Sequence, residues 1–321
     1  MLSPYQRQQI TPSVEKHNAK KIILDVDTGG DDAVAILLAG HHPELQLEAV
    51  TVTHGNAPLL TTLDNTLRVI EAGKLSHIPV FSGADRPIVA DPIPTKPVQR
   101  STLPLPSPTS TPQPQRAAEF LIDYYLSPQG PSTCYVPLGP QTNLALALRL
   151  EPKIAERIPS ITTMAGAYIE GNTTPSAEFN VLADPEAAHI VFTAGIPITM
   201  VGLEVTAQAL LSLDDAEELG KRGTIWAEIA SRIIKDEVLW FMNNLGWDGG
   251  QIYDACAVAA LVDPLILETQ PMHVAIELFG QHSRGRTVAD ISGYHKNPPN
   301  VNVGGRIDRD RFMEILFEGL S

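Results

Sequence analysis

Short apolar runs alternate with longer amphipathic stretches along this chain. The run KIILDV at Lys21–Val26 is apolar, rich in β-branched residues and followed within three residues by a glycine pair, which predicts a buried strand and a tight turn. The spacing of apolar residues predicts a helix over Asp31–Ala39, a second strand over Leu45–Thr53, and a second helix over Pro58–Ala72 that begins at a proline. This β-α-β-α order predicts a mostly parallel sheet covered by helices.

The same alternation continues through the second half of the chain. Further helices are predicted at Ala117–Leu126, Gln141–Leu150, Asp184–Ala194, Leu213–Gly220, Thr224–Leu245, Asp254–Val262 and Asp308–Leu320. Further strands are predicted at Thr133–Pro137, Ile161–Ala165, Ile196–Val201, His273–Leu278 and Thr287–Ile291. The sequence therefore predicts one α/β domain over residues 20–321, with an open, mostly parallel sheet and helices on both faces. Active sites of such sheets lie at the C-terminal ends of the strands.

Two segments depart from this alternation. Met1–Ala19 is polar and lacks the apolar core of a secretory signal, so we expect an N-terminal extension there. Arg86–Gln115 is dense in proline, serine and threonine, which is typical of a lid or a disordered insert. Because the βα pattern resumes after this segment, we do not interpret it as a domain boundary.

Composition narrows the range of partners and locations. The 321 residues are 43% hydrophobic and 19% charged, which fits one large globular domain. The formal charge of −14 argues against a nucleic acid or an anionic membrane surface as partner. No stretch approaches the roughly 20 apolar residues of a membrane span. Cys134 and Cys256 have no zinc-ligand spacing and fit reduced thiols, so we expect a cytoplasmic protein.

Four carboxylates follow the first predicted strand within eight residues, in the order Asp25-Val-Asp27-Thr-Gly-Gly-Asp31-Asp32. Alternation along a strand places Asp25 and Asp27 on one face, and the glycine pair lets the chain turn back toward them. So many like charges repel one another, and a bound hard cation such as calcium or magnesium would relieve the repulsion. Asp31 could instead cap the next helix, but capping explains only one or two of the four.

An Asp-x-Asp pair after a strand also begins the phosphatases whose first aspartate is the nucleophile. Their pattern needs threonine or valine two residues beyond the second aspartate. That position is Gly29 here, and the Gly-Asp-Asp that follows is foreign to the pattern. A metal-dependent phosphatase is therefore the weaker alternative.

The segment ILDVDTGGDDAVAILLA resembles the signature of the inosine–uridine-type nucleoside hydrolases, and further segments resemble that family in the same order along residues 20–320. These segments are THGN at Thr53–Asn56, VPLGPQTN at Val136–Asn143, TTMAGA around Met164, GNTTPSAEFN at Gly171–Asn180, YDACAVAAL at Tyr253–Leu261, RGRTVAD at Arg284–Asp290 and the final RFMEILFEGL. The resemblance implies a Rossmann-like nucleoside hydrolase fold. It also implies calcium-dependent hydrolysis of ribonucleosides, purine or pyrimidine, to ribose and free base.

The resemblance also implies a metal site and a base. Asp27, Asp32 and Asp254 are expected to bind Ca²⁺ through side-chain oxygens, together with the backbone carbonyl of Leu138, and Asp25 to act as an outer ligand. Asp27 is also expected to take a proton from a nucleophilic water held by the calcium. The transition state is expected to resemble an oxocarbenium ion, whose positive charge an acidic pocket stabilises, with inversion at the anomeric carbon.

Substrate contacts follow from the same resemblance. Ribose is expected to be held by Asp31, Asn56, Glu178, Asn180, Asn172 and the backbone of Met164. Carboxylates and amides suit this role because a diol offers two donors and several lone pairs. Relatives place base-stacking aromatics near the end of a long helix. Trp247 is the expected base contact, whereas Trp240 and Phe241 fit base stacking and core packing equally well.

The chain departs from the family at the expected leaving-group acid. Much of the family has histidine directly before the last metal-binding aspartate, and this chain has Tyr253. A phenol is a weaker acid than imidazolium. Either Tyr253 donates a hydrogen bond without full proton transfer, or another group serves. The other candidates are His54, His273, His282, His295 and a side chain of the Pro-rich segment.

Two further features stay open at this point. The usual lid sequence is not recognisable, so the preferred nucleobase is open as well as the acid. A nucleoside- or ribose-binding protein without turnover is the second alternative, which the intact Asp27, Asp32 and Asp254 disfavour. The resemblance implies a small-molecule ribonucleoside as substrate and a homodimer or homotetramer as assembly.

Overall fold

The computed structural model describes residues 19–93 and 102–321, and these residues form a layered α/β domain. Its strands are β1 Lys20–Val26, β2 Leu45–Val52, β3 Val80–Ser82, β4 Thr133–Pro137, β5 Ile161–Met164, β6 Ile198–Val201, β7 Leu267–Met272, β8 Val274–Ile276, β9 Thr287–Ala289 and β10 Val301–Ile307. Its helices are α1 Gly30–His41, α2 Leu59–Ala72, α3 Ala117–Leu126, α4 Thr142–Leu150, α5 Phe179–Ala183, α6 Pro185–Phe192, α7 Leu203–Thr206, α8 Leu213–Gly220, α9 Ile225–Leu245, α10 Tyr253–Val262 and α11 Arg309–Gly319.

Among the described residues, eight strands form one sheet in the order β3-β2-β1-β4-β5-β6-β10-β7. All neighbours in this sheet are parallel except β10 and β7. Strands β8 and β9 pair separately as an antiparallel hairpin. The sheet confirms the prediction of an open, mostly parallel α/β fold, and it places β1, with its acidic loop, between β2 and β4.

Helices cover both faces of the sheet, as predicted. Helices α1, α2, α9, α10 and α11 contribute to the hydrophobic core on one face, and α3, α4 and α6 to the core on the other. Helix α1 is buried from Asp32 to Ala39, because Ala33–Ala39 are all apolar and α9 and α10 pack against the helix. This burial fixes the N-terminus of α1, which carries half of the acidic cluster.

Three strands of the sheet were not predicted. Strand β10 contains Gly304 and Gly305, which weaken the strand pattern, yet it lies between β6 and β7. Strand β7 is exposed except at its two ends, as an edge strand can be, so it lacks an apolar alternation. Strand β3 has only three residues. Pairing with neighbours, rather than the local sequence, defines these strands.

The Pro-rich segment was expected to be a lid or a disordered insert. Residues 94–101 lie outside the described residues, as do residues 1–18 of the expected N-terminal extension. Residues 102–115, here called the strap, lie along α2, and Gln113 forms a bridge with Phe81 at the β3 edge of the sheet. Within the described residues, no helix is both long enough and apolar enough to cross a membrane.

Candidate active site

The acidic cluster lies where β1 ends, at the C-terminal edge of the sheet. Asp25 is paired in register with Thr51 on β2 and with Pro137 on β4. Its Oδ1 accepts hydrogen bonds from Thr51 Oγ1 and Asn143 Nδ2, both at 2.7 Å. Burial raises the pKa of Asp25 to about 6, although these hydrogen bonds lower it. Asp25 is therefore held by its neighbours at the base of the cluster.

Asp32 holds the loop between β1 and α1 in shape. Its Oδ1 accepts from the backbone N–H of Asp27 at 3.2 Å, and its Oδ2 accepts from the N–H of Gly29 at 2.8 Å. The second bond caps the N-terminus of α1, since Gly29 is the N-cap and Asp32 the third helical residue. Capping was considered for Asp31, but the structure assigns it to Asp32, which leaves the Asp31 carboxylate for other contacts.

Two glycines leave the space that the Asp27 carboxylate occupies. A β-carbon at Gly55 would lie 2.0 Å from Asp27 Oδ2, and one at Gly139 would lie 2.6 Å from Asp27 Oδ1. The backbone N–H of Asn56 donates to Asp27 Oδ2 at 2.6 Å. Gly55 and Asn56 belong to the THGN segment and Gly139 to the VPLGPQTN segment. Both segments therefore act on Asp27 through the backbone.

Three carboxylates come close enough to share a cation. Oxygen atoms of Asp31, Asp32 and Asp254 all lie within 4.8 Å of one another. Asp254 is buried in the first turn of α10. This set includes Asp31, predicted as a ribose ligand, and does not include Asp27, predicted as a metal ligand. Oxygen-only donors of this kind fit a hard divalent cation.

Burial and mutual repulsion raise the pKa values in this cluster. Desolvation raises the pKa of Asp32 to about 8, with the Asp31 charge as the next cause. The pKa of Asp254 is raised well above its usual range by burial and then by the charges of Asp31, Asp32 and Asp27. Burial likewise raises the pKa of Asp27, to which the Asp32 charge adds. A bound cation would stabilise the ionised form of all of them.

The residues expected to hold ribose meet at the neighbouring strand ends. Asn180 Nδ2 donates to the carbonyl oxygens of Leu138 at 2.7 Å and Met164 at 3.1 Å. Glu178 caps α5 and accepts from the N–H groups of Asn180 at 2.8 Å and Gly166 at 2.9 Å. The structure therefore brings Leu138, Met164, Glu178 and Asn180 together.

The remaining predicted ribose ligands border the same space. Asn56 Nδ2 donates to Asp32 Oδ2 at 3.3 Å. This bond places the Asn56 amide beside the three carboxylates that could share a cation. Asn172 Oδ1 accepts from the N–H of Phe179 at 3.0 Å. The Asn172 side chain also contacts Tyr253. Of these two asparagines, one therefore contacts Asp32 and the other contacts the candidate acid Tyr253.

Tyr253 begins α10 directly before Asp254. Burial raises the pKa of its phenol above the ordinary value, and the charges of Asp31, Glu237 and Glu178 add to this. The phenol therefore keeps its proton and can donate a hydrogen bond. Phe241 lies 6.3 Å from the Tyr253 ring and stacks on Trp247 with centroids 5.1 Å apart. Phe241 is buried, whereas Trp247 is 39% exposed.

The histidines weighed as alternative acids have other contacts. His54 is buried, its Nε2 lies 3.1 Å from Thr142 Oγ1, and burial lowers its pKa to about 4. His273 Nδ1 lies 3.2 Å from the Pro298 carbonyl. His282 lines a cavity together with Thr174 and Arg284, and His295 is exposed. None of them joins the contacts described for the acidic cluster.

Glu237 of α9 is a member of the site that the sequence did not reveal. A β-carbon at Gly30 would lie 2.3 Å from Glu237 Oε1, so this side chain extends over the start of α1. Burial raises its pKa to about 8, and the charge of Asp31 adds to the rise. The sequence did contain a signal for Glu237, because it lies three residues after buried Ile234 and four before buried Phe241. This spacing places a glutamate on the apolar face of the helix.

Known proteins are similar to this chain over most of its length. A family model described as inosine-uridine preferring nucleoside hydrolase matches residues 22–314. The pyrimidine-specific ribonucleoside hydrolase RihB of Escherichia coli is 37% identical over 304 residues, covering 93% of this chain and 96% of that protein.

Solved structures show the same likeness. The purine-preferring ribonucleoside hydrolase from Gardnerella vaginalis superposes with a TM-score of 0.87 at 29% identity, covering 94% of this chain and 98% of that one. A plant nucleoside hydrolase, PpNRh1, superposes with a TM-score of 0.84 at 29% identity and with the same coverage.

Proposed function

This chain belongs to the inosine-uridine preferring nucleoside hydrolase family and is a ribonucleoside hydrolase, and from that premise we propose how its buried carboxylates cleave the bond between ribose and base. The observation that carries the proposal is the convergence of Asp31, Asp32 and Asp254 within 4.8 Å. Among the described residues, no ion pair includes these three side chains. Their charges therefore call for an external cation, and we propose calcium.

Asp32 and Asp254 would hold this calcium ion, and Asp31 beside them would face the ribose. Asp27, whose charge also raises the pKa of Asp254, and the carbonyl oxygen of Leu138 would complete the protein ligands. Asp25, fixed by Thr51 and Asn143, would act as an outer ligand. All of these donors are oxygen atoms, as calcium prefers. When bound, the ion supplies positive charge that acidifies a water molecule and anchors the ribose diol.

Asp27 is the proposed general base. Its carboxylate is fixed by the Asn56 N–H and by the space above Gly55 and Gly139, so it can meet a water molecule in one orientation. That water gives a proton to Asp27 and attacks the anomeric carbon on the face opposite the nucleobase, while the carbon–nitrogen bond breaks. Positive charge develops on the ribose ring, and the surrounding carboxylates stabilise it. This geometry inverts the anomeric carbon.

The other cluster residues are proposed to bind the ribose. Asp31, Asn56, Glu178, Asn180 and Asn172 offer carboxylate and amide groups to its hydroxyls, and the Met164 backbone completes this wall. Glu178 is buried and accepts N–H groups of its own loop, so its orientation does not depend on the substrate. Such preorganisation lowers the entropic cost of holding the sugar.

Tyr253 and Trp247 are proposed to meet the leaving base. Because the phenol of Tyr253 keeps its proton, we propose that it stabilises the departing base by a hydrogen bond rather than by full proton transfer. Trp247 would stack on the base with the face that is not covered by Phe241. The relatives include a pyrimidine-specific and a purine-preferring enzyme, so both classes of base belong in the test.

We further propose a cytoplasmic homodimer or homotetramer that acts on free ribonucleosides. Unpaired Cys134 and Cys256 support a reducing compartment. The net charge of −14 supports a neutral small molecule rather than a polyanion as substrate. Gel filtration with light scattering tests the assembly.

The reaction is tested by incubating the protein with inosine, uridine, adenosine and guanosine, with calcium or with a calcium chelator, and measuring ribose release. We expect release in calcium and loss of release in chelator. Asp27→Asn should lower kcat by about 10²–10⁴-fold. Binding of nucleosides without release would indicate a binding protein, and release of phosphate from an ester would indicate a phosphatase. Near-normal turnover in Asp27→Asn would reject Asp27 as the base.

A further inference from the structure

Asn65 of α2 links the acidic loop to the strap. Its side chain is only 1% exposed, although its helix faces solvent on one side. Nδ2 donates to the carbonyl oxygen of Thr28 at 3.0 Å, and Oδ1 accepts from the backbone N–H of Leu103 at 2.8 Å. One amide group therefore joins two segments that are far apart in sequence.

The first of these bonds acts on one peptide unit of the acidic loop. The carbonyl of Thr28 and the N–H of Gly29 belong to the same planar peptide. Asn65 holds the carbonyl, and Asp32 Oδ2 accepts the N–H at 2.8 Å. The peptide is held from both sides, so a rotation that breaks one bond also breaks the other. Its orientation determines where the Asp32 carboxylate rests.

The Thr28 side chain is held by the next residue of the same helix. Thr28 Oγ1 and Thr66 Oγ1 lie 2.7 Å apart, and Thr66 Oγ1 donates to the Thr62 carbonyl at 2.7 Å. Helix α2 thus contacts both the backbone and the side chain of Thr28. Of these two contacts, only the bond from Asn65 involves the Thr28–Gly29 peptide, whose N–H group donates to Asp32.

The second bond of Asn65 belongs to a series along one face of α2. Asn65, Arg68 and Glu71 are spaced three residues apart, so their side chains follow one another along the helix surface. Arg68 donates to the Leu105 carbonyl, and Glu71 accepts from the Thr109 N–H at 2.8 Å. The strap therefore lies on α2 in a defined register. Of these three residues, Asn65 is the one that also binds the acidic loop.

We propose that Asn65 is a positioning residue for the hydrolase reaction, which orients the Thr28–Gly29 peptide, and through it Asp27 and Asp32, when the strap is in place on α2. The inference rests on the proposed function of Asp27 and Asp32. An amide is required because the position needs one donor toward Thr28 and one acceptor toward Leu103. Aspartate keeps the acceptor but loses the donor, and it adds a charge beside an acidic loop.

The test compares four proteins: the wild type, Asn65→Asp, Asn65→Ala, and Arg68→Met as the matched control that loses a strap contact without touching Thr28. Calcium affinity is measured by titration calorimetry, and kcat and KM are measured on uridine and inosine. We expect both Asn65 variants to bind calcium at least tenfold more weakly and to lose at least tenfold in kcat. Arg68→Met should keep the calcium affinity within about twofold.

Amide hydrogen exchange gives a readout that needs neither calcium nor turnover. In the wild type, the N–H groups of Gly29 and Leu103 should exchange slowly, and in Asn65→Ala both should exchange faster together. Rapid exchange at Leu103 in the wild type would overturn the inference even if no variant folds. Wild-type calcium affinity and kcat in Asn65→Asp, with only a lower melting temperature, would also overturn it. Absence of ribose release by the wild type would instead reject the proposed function.

Discussion

At the residue scale, the site depends on how closely backbone and side chains approach one another. The Asp27 carboxylate fits between Gly55 and Gly139, and the Glu237 carboxylate fits over Gly30. In each case a missing β-carbon allows a charged group into a buried position. The glycines of the THGN and VPLGPQTN segments thus have a steric role in addition to their role in turns.

Gly139→Ala should reduce catalysis by displacing the Asp27 carboxylate. The new β-carbon would lie 2.6 Å from Asp27 Oδ1 and 2.9 Å from its Cγ, so the carboxylate has to move. A displacement of this kind costs about 10²-fold in kcat, whereas KM should change little. Gly305→Ala is the control, because its β-carbon would meet atoms only at ordinary contact distances from 3.5 Å. An unchanged kcat in Gly139→Ala would show that Asp27 tolerates the shift.

Tyr253→Phe tests the hydrogen bond to the leaving base. The change removes the phenolic O–H and keeps the ring that packs near Phe241. We expect kcat on inosine and uridine to fall at least about tenfold, because the departing base loses a donor. A riboside whose leaving group is a stable anion, such as nitrophenolate, needs no such donor and should be cleaved at nearly the wild-type rate. Equal losses on both kinds of substrate would contradict the assignment.

At the element scale, helices α9 and α10 bring the residues proposed to contact the nucleobase close to the acidic cluster. Helix α9 carries Glu237 and Phe241, and its C-terminal turn ends at Gly246 in the left-handed conformation with φ of 69°. This turn brings Trp247 back against Phe241. Helix α10 begins with Tyr253 and Asp254, so one helix end supplies both a candidate acid and a candidate metal ligand. The two functions are therefore coupled through one rigid element.

Trp247→Ala should weaken substrate binding more than it slows the chemical step. Loss of a stacking partner costs about 1–3 kcal/mol per base, which corresponds to a rise in KM of about 5- to 150-fold, with kcat less affected. Trp226→Phe is the control, since Trp226 stacks on His41 and not on the aromatic residues near Tyr253. Steady-state kinetics on a purine and a pyrimidine nucleoside measure the effect. A KM that stays the same for both substrates would exclude Trp247 as a base contact.

At the scale of the whole molecule, the buried carboxylates make the stability of the fold depend on pH and on a bound cation. Burial raises the pKa of Asp31 from 3.8 to about 6 and that of Asp32 from 3.8 to about 8. Between the ordinary pKa of 3.8 and the raised pKa of each group, the folded protein holds a proton that the unfolded chain has released. Raising the pH through this window therefore destabilises the cation-free fold.

The melting temperature should follow this linkage. In chelator, it should fall as the pH is raised from about 5.5 to about 8.5, because Asp31 and Asp32 lose protons that only the fold retains. Calcium should reverse the fall at the higher pH and have less effect at the lower pH, where protons compete with the ion. Scanning calorimetry at both pH values measures it. A melting temperature that rises with pH in chelator would contradict the description of the cluster.

The sequence by itself determined the first βα unit and its chemistry. Lys21–Val26 and the glycine pair form a strand and a turn by local rules, so Asp25, Asp27, Asp31 and Asp32 fall close together whatever surrounds them. The later motifs indicated Glu178, Asn180 and Asp254 only through their resemblance to a family. Their distances to the cluster depend on the order of strands in the sheet, which local patterns do not state.

Only the tertiary structure decided which atoms meet within the cluster. It assigned the helix cap to Asp32, brought oxygen atoms of Asp31, Asp32 and Asp254 within 4.8 Å of one another, and added Glu237 from α9. It also placed the strap on α2, where Asn65 connects it to Thr28. These contacts join residues that are distant along the chain, and they result from the packing of helices against the sheet. Sequence periodicity shows which face of an element is buried, but the partner of that face is fixed only when all the elements pack together.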